Sequence, residues 1–329
     1  MTAAPKVSVI VPTHNRAHLL ATCLASIARQ TYRDFEVVVV DDGSTDNTAD
    51  VVSGFPEVRY YRQENLGAPG AYNRGIAEAR GEYLMLVDSD DSVSEDALEA
   101  EARVLEENPN VGLVYAQAWQ VDEEGAVTGL RRPAFARDSY VRSGREEIRH
   151  LLFWNHITSP TPMIRRQCFE TVGLFDPQLR VGEDWDMWVR IAKRYDIAYV
   201  ARPLGNYLKH AGNLSTKIDL EFLDFLRRFL LDKVFDDPEI GHLYRPLRGK
   251  AYFAYHSYIA AMAYKADAMP MARGHLIAAF RTSPGETLKP RGLWAASLLL
   301  RTLIPLPVLT PARSAMRALR GRVTGHSGG

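Results

Sequence analysis

The sequence predicts an α/β fold with a mostly parallel central sheet, followed by a helical C-terminal region. Through the first hundred residues, short β-branched runs alternate with helical patterns, the signature of βαβ units. Each of those runs is too continuously apolar for a sheet covered on one face only, which implies burial on both. Beyond His210 the pattern turns helical throughout. A chain of 329 residues has room for two domains. The change of pattern sets their expected bounds at 1–215 and 216–329.

The strands expected first are Val7 to Val11, Phe35 to Val40, Val58 to Tyr61 and Tyr83 to Val87. Between them, Arg16 to Gln30 sets Leu19, Leu20, Cys23, Leu24 and Ile27 on one stripe, and Ala71 to Arg80 forms a second helix. Ser94 is expected to cap a third, running to about Glu107 and stopped by Asn108-Pro109-Asn110. Val111 to Val121 reads as a further strand, and a less regular region extends through Pro162. Glu183 begins a helix whose core positions are Met187, Trp188, Ile191 and Ala192, and Ile197 to Val200 returns as a strand. Tyr252 to Ala266 and Met271 to Arg281 form one helical hairpin, too little for a repeat array.

Composition excludes several classes. Charged residues are 24% and hydrophobic residues 46%, near the averages for soluble domains, so wholesale disorder and a polytopic membrane protein are both disfavoured. Forty basic residues balance forty acidic ones and give no reason to expect nucleic acid. Cys23 and Cys168 form no metal or redox pair, which fits a reducing compartment and core packing. The first apolar strand starts at Val7 and leaves no room for a signal peptide, so a cytoplasmic location is expected. From Arg281 onward, eight Lys or Arg face the single acid Glu286. There Leu298, Leu299, Leu300, Leu303 and Ile304, flanked by Arg291, Arg301, Arg313, Arg317, Arg320 and Arg322, suit an anionic membrane surface. Arg301, Pro305 and Pro307 interrupt that stretch, so it cannot span a bilayer. The alternative is a helix packed on the body, and the C-terminal helices could equally supply a homodimer surface.

The turn after the first strand, Pro12-Thr13-His14-Asn15-Arg16, has no glycine, which removes dinucleotide fingerprints and P-loops from the place they would occupy. Acids follow the strands instead. Asp41-Asp42-Gly43-Ser44 ends the second and Asp88-Ser89-Asp90-Asp91 the fourth, both at carboxyl ends, where open α/β sheets bind ligands. In an extended segment Asp88 and Asp90 project to one side, about 6–7 Å apart, as a hard divalent cation such as Mg²⁺ or Mn²⁺ requires. Asp and Ser also favour ordinary turns and caps, so this motif alone leaves both readings open.

Taken together, Val7 to Arg16, Val39 to Asp46, Glu64-Asn65-Leu66-Gly67 with Asn73-Arg74-Gly75, and Gly81 to Asp91 closely resemble family 2 glycosyltransferases. Gly182-Glu183-Asp184-Trp185-Asp186 extends the resemblance, and Tyr207 to Ser215 extends it more weakly. The resemblance implies a GT-A fold, a nucleoside-diphosphate sugar donor (UDP, dTDP or GDP), a metal held by a DxD-type motif, and inversion at the anomeric carbon. It implies a nucleotide-binding half at about 1–110 and an acceptor-binding half at about 111–215. Asp42 matches the position that reads the base, with Pro12, Thr13 and Asn15 beside base and ribose. Asn65, Gly67 and Arg74 match the segment that closes over the nucleotide. Asp88 and Ser89 fall beside ribose and metal. Asp90 matches the main metal ligand, with His210 completing the site in some members. Asp184 matches the general base, while Glu183 and Trp185 beside it become acceptor contacts.

The chemistry needs these groups. Breaking the sugar–diphosphate bond builds charge on the leaving phosphate, which a cation stabilises. The attacking acceptor hydroxyl must lose a proton, a step a placed carboxylate speeds by about 10²- to 10⁴-fold. The resulting expectation is a hexosyl- or deoxyhexosyl-transferase acting on a glycan or lipid-linked saccharide, cytoplasmic or peripheral at the inner face of the membrane. The alternatives are a polyprenyl-phosphate sugar synthase, and a non-catalytic protein that binds nucleotide sugars.

Overall fold

In the computed structural model, residues 4–213, 219–286 and 289–303 are described. The chain divides into two compact units, Met1–Ile218 and Asp219–Gly329. In the first unit the elements run β1 (Val7–Thr13), α1 (Ala17–Ala28), β2 (Phe35–Asp41), α2 (Thr48–Ser53), β3 (Val58–Arg62) and α3 (Gly67–Glu78). They continue with β4 (Tyr83–Leu86), β5 (Ser92–Val93), α4 (Ala97–Glu107), β6 (Val111–Val121), β7 (Val127–Arg131), β8 (Tyr140–Arg142) and α5 (Gly144–Leu151). β9 (Met163–Arg165), α6 (Gln167–Val172), α7 (Glu183–Ala192) and β10 (Asp196–Leu208) complete it.

One sheet takes the order β3-β2-β1-β4-β9-β6-β10-β5, with β7 beside β6 and β8 beside β10. Strands β3, β2, β1 and β4 are mutually parallel, as are β6 and β10, and the short antiparallel β9 joins the two groups. The core strands are buried on both faces, so side chains such as Val9, Ile10, Val38, Val39 and Leu84 contribute roughly 1.5–3 kcal/mol each. Leu20, Cys23, Leu24 and Ile27 of α1 pack on one side. On the other side, Ala71 of α3 packs on Val38 and Val40. This parallel arrangement sends the carboxyl ends of β1, β2 and β4 to one edge, so the loops bearing Thr13, Asp42 and Asp88 face one crevice.

In the first unit, three boundaries move by three residues or more, each for a non-local reason. α3 starts at Gly67 rather than Ala71, because the Asp42 carboxylate accepts the N–H groups of Leu66 and Gly67 and so caps the helix from another strand. α4 starts at Ala97 rather than Ser94, because Ser92 and Val93 are drawn into an antiparallel pair with Asn206 and Gly205. β10 runs on to Leu208, because register shifts around Val200, Pro203 and Gly205 absorb the proline that breaks its apolar pattern. The region through Pro162 also holds the short strands β7 and β8, and α5, whose start is marked by the Ser143 cap on Glu146 N and was legible in the Ser143-x-x-Glu146 spacing.

The second unit is helical among its described residues: α8 (Leu220–Phe235), α9 (Gly241–Tyr244), α10 (Arg248–Lys265), α11 (Met269–Thr282) and α12 (Pro290–Leu303). Phe253 and Ala260 of α10, Leu276 and Ala279 of α11, and Ala295 and Leu298 of α12 share a core. The opposite face of α12 exposes Leu293, Trp294 and Leu300. Ile304 and the basic positions 313, 317, 320 and 322 lie outside the described residues. No helix among the described residues is long and apolar enough to cross a membrane.

Candidate active site

A pocket of about 230 Å³ opens at the carboxyl edge of the sheet. Pro12, Thr13, Asp42, Asn65, Gly67, Asp88 and Ser89 all line it, joined by His14, Arg16, Ala68 and Ala71. Asp42 builds this wall. One carboxylate oxygen accepts from Gln63 Nε2 at 2.8 Å and Leu66 N at 2.9 Å, the other from Gly67 N at 2.8 Å, which fixes the loop that borders the pocket. Gly67 adopts φ 76°, a conformation that glycine enters without strain. Two buried hydroxyls of wall residues, Thr13 Oγ1 and Ser89 Oγ, have no hydrogen-bond partner among the described residues. Groups of that kind call for a polar ligand.

Two residues expected here are placed elsewhere. Asn15, at φ 52°, turns its side chain to Thr45 N at 2.8 Å, while its own N–H donates to Ser44 Oγ at 2.9 Å. It ties the loop after β1 to the loop after β2, with its Nδ2 3.1 Å from His14 Nε2. Arg74 pairs with Glu78 one helical turn on at 2.8 Å and covers the Tyr61 ring, so it is a surface charge. His14 and Arg16 carry no sequence signal beyond their place in the first turn. His14 Nδ1 lies 2.8 Å from the Asp42 carbonyl, and Arg16 reaches Asp90 Oδ1 at 2.8 Å.

The acids after β4 converge. Oxygens of Asp88, Asp90 and Asp91 lie within 4.8 Å of one another. Asp88 accepts from Tyr72 Oη at 2.6 Å and Ser159 Oγ at 2.7 Å. Asp90 is held by Arg16 and by His210 Nε2 at 2.9 Å, so the structure does bring Asp90 and His210 together. Asp91, which the sequence reading left without a role, accepts from Leu208 N at 2.9 Å on one oxygen, while its other oxygen is buried without a partner among the described residues. Burial raises the Asp88 carboxyl above its usual range, with the Asp90 charge adding to the effect and two hydroxyl donors opposing it. Burial and the same neighbours push Asp91 further up. A hard divalent cation fits this set: oxygen donors, several negative charges close together and one orphaned carboxylate oxygen.

A second, smaller cavity of about 60 Å³ adjoins Asp88. Its lining includes Glu183 and Asp184 from the first turn of α7. Asp184 accepts from Trp185 N at 2.6 Å and from Asn155 Nδ2 at 2.8 Å. Burial pushes its carboxyl up to about 6 against the pull of those two donors. Burial, with the charge of Asp184 next to it, also pushes the Glu183 carboxyl well above its usual range. Trp185 is not an open sugar platform: it is buried, and its indole N–H donates to the Leu151 carbonyl at 2.9 Å. Trp154, next to Asn155 in sequence, is 51% exposed.

Carboxyl-end loops that form a pocket, an acidic triad whose Asp88 lines it, and a buried carboxylate in the adjoining cavity define a GT-A-type α/β enzyme. The family model described as "Glycosyl transferase family 2" matches residues 8–173, and the chain belongs to that family and is a glycosyltransferase. It is 34% identical over 230 residues to a "PGL/p-HBAD biosynthesis glycosyltransferase" of Mycobacterium bovis, covering 67% of this chain and 84% of that protein. An uncharacterized glycosyltransferase of Rickettsia felis is 29% identical over 218 residues, covering 65% of this chain and 34% of the relative. In fold, the chain is similar to Staphylococcus aureus TarS 1-349 in complex with UDP-GlcNAc. The TM-score is 0.69 at 20% identity, over 90% of this chain and 89% of that one. A mannosyltransferase of Pyrobaculum calidifontis in complex with GDP-Man and Mn²⁺ gives 0.53 at 22% identity, over 92% and 87%.

Proposed function

We propose that this glycosyltransferase moves a sugar from a nucleoside-diphosphate sugar, with inversion, to a hydroxyl of a glycan or lipid-linked saccharide. The observation that carries this reading is the place of Asp88. It lines both the larger pocket and the smaller cavity that Asp184 lines, so a single side chain borders both and sets the buried carboxylate close to the larger pocket. On this reading the larger pocket takes the nucleotide, with Thr13 and Ser89 hydroxyls meeting its polar edges. Asp88, Asp90 and Asp91, with His210 behind Asp90, would hold a divalent cation, which supplies charge stabilisation for the leaving diphosphate.

The remaining steps belong to the chain's own groups. Asn155 and the Trp185 N–H orient Asp184, and Asp184 takes the proton of the acceptor hydroxyl as it attacks. Trp154, exposed and next to Asn155 in sequence, is a face on which an acceptor sugar can stack. That the chain is 34% identical to a protein named for PGL/p-HBAD biosynthesis supports a glycan or glycolipid product.

The test is transfer from UDP-, dTDP- and GDP-sugars, with the anomeric configuration of the product read by NMR. Acceptors are presented free and in anionic vesicles. A product of inverted configuration supports the reading, and faster transfer in vesicles supports tail–membrane contact; a retained configuration excludes Asp184 as base in a direct displacement.

A pH dependence follows from the same carboxylate. Asp184 must be ionised to accept a proton, and its carboxyl sits at about 6. The expected kcat/KM is therefore level above pH 7 and falls about tenfold per unit well below pH 6. A pH–rate profile that stays flat to pH 5 would remove Asp184 from the proton-transfer step.

A further inference from the structure

The chain has five tryptophans. Trp119, Trp154 and Trp294 are at least 39% exposed and reach solvent, and buried Trp185 gives its indole N–H to Leu151. Trp188 is the exception. It is 2% exposed, and its Nε1–H is buried without a hydrogen-bond partner among the described residues. Buried indole N–H groups normally find an acceptor, because leaving one unmade costs the full desolvation of the donor. One turn of the same helix thus satisfies one tryptophan and leaves the other unsatisfied.

Trp188 also lines the cavity that holds Asp88 and Asp184, with Ser159 and Glu183 as its further polar walls and Tyr72, Leu86, Pro162 and Phe175 as the rest. At roughly 10–15 Å³ per water, this cavity of about 60 Å³ has room for about four to six waters. That is the scale of one monosaccharide ring and too little for two. Phe175 stacks on Tyr72 with centroids 5.3 Å apart, and Tyr72 is anchored to Asp88, so the aromatic wall is fixed.

We infer that Trp188 is a specificity-determining residue for the donor sugar: its indole N–H donates to a ring hydroxyl oxygen, while the Phe175 and Tyr72 rings lie against the apolar face of the sugar. This rests on the smaller cavity being the donor-sugar site. A donor lacking an oxygen on the Trp188 edge leaves the N–H unpaired and is disfavoured, whereas the nucleotide itself never meets this residue.

The experiment uses the full chain labelled with [¹⁵N]tryptophan and Mg²⁺, titrated with UDP, GDP and dTDP and then with UDP-glucose, UDP-N-acetylglucosamine, GDP-mannose and dTDP-rhamnose. Trp188→Phe assigns the Trp188 indole signal. The expected result is a shift of that signal with one nucleotide sugar and none with the corresponding diphosphate. Trp188→Phe should bind that nucleotide sugar about five- to tenfold more weakly, with its diphosphate affinity unchanged. A nucleotide sugar that outbinds its diphosphate while the Trp188 signal stays still overturns the assignment and leaves the donor site standing. Binding of none of the four sugars overturns the donor-site reading and this one with it. Should Trp188→Phe fail to fold, the labelled wild type still decides, with the Trp188 signal assigned by elimination using Trp119→Phe, Trp154→Phe, Trp185→Phe and Trp294→Phe.

Discussion

Asp184→Asn is expected to lower sugar transfer by about 10²- to 10⁴-fold, the usual worth of a placed general base, while leaving nucleoside-diphosphate affinity unchanged. Three features make this substitution informative. Asp184 lines the smaller cavity and not the nucleotide-sized one, so it has no part in holding the diphosphate. The amide can also be accommodated. Its oxygen keeps the Trp185 N–H, and Asn155, whose Oδ1 is buried without a partner, can turn its amide to accept from the new NH₂. Finally, stability moves opposite to activity. A carboxyl raised from 3.8 to about 6 costs the folded state stability above that pH, a cost that fades as pH falls from 6 toward 4. Removing the charge should therefore raise Tm at pH 8 and leave it nearly unchanged at pH 4. Calorimetric nucleotide titration, a transfer assay and thermal melts at the two pH values check the three parts. Transfer at the wild-type rate would eliminate Asp184 as base.

The strands of the donor half were legible because their evidence is local. Val7 to Val11 and Phe35 to Val40 are uninterrupted apolar runs, and parallel topology then carries Asp42 and Asp88 to one edge whatever the loop details. What escaped was set by partners distant in sequence. The start of α3 is fixed by Asp42, more than twenty residues back, and no periodicity within the helix records that. Asn15 sits in the expected turn, but at φ 52° its side-chain oxygen is committed to Thr45 N, a contact no local pattern records. The Arg74–Glu78 spacing was visible and favoured a surface pair over a nucleotide contact. Asn155, which orients Asp184, lies in the aperiodic region through Pro162, where one polar residue looks like any other. Arg16 and Asp91 were in plain sight beside the motifs. Only the fold shows that one neutralises Asp90 and that the other carries an unmatched buried oxygen.

Asp90→Asn tests how the site manages charge on the leaving diphosphate. Asp90 is the hub of the acidic triad, with Arg16 on one oxygen, His210 on the other and the carboxylates of Asp88 and Asp91 close by. Asparagine keeps the shape and one acceptor for Arg16, but it removes the charge that a divalent cation needs. If the cation supplies several kcal/mol of transition-state stabilisation, the variant should lose about 10²- to 10³-fold in transfer. The gain in UDP or GDP affinity on adding Mn²⁺ should disappear as well. His210→Ala should lose less, because it removes a neighbour of Asp90 rather than the charge itself. Arg16 defines the opposing case. It lines the larger pocket, the proposed nucleotide site, and already carries positive charge, so it could meet the diphosphate directly. In that case a chelator would leave transfer intact, Asp90→Asn would free Arg16 and tighten diphosphate binding, and Arg16→Ala would be the damaging change. Calorimetry of each variant with and without Mn²⁺, alongside transfer before and after chelation, separates the two, because they predict opposite signs for the effect of Asp90→Asn on nucleotide affinity.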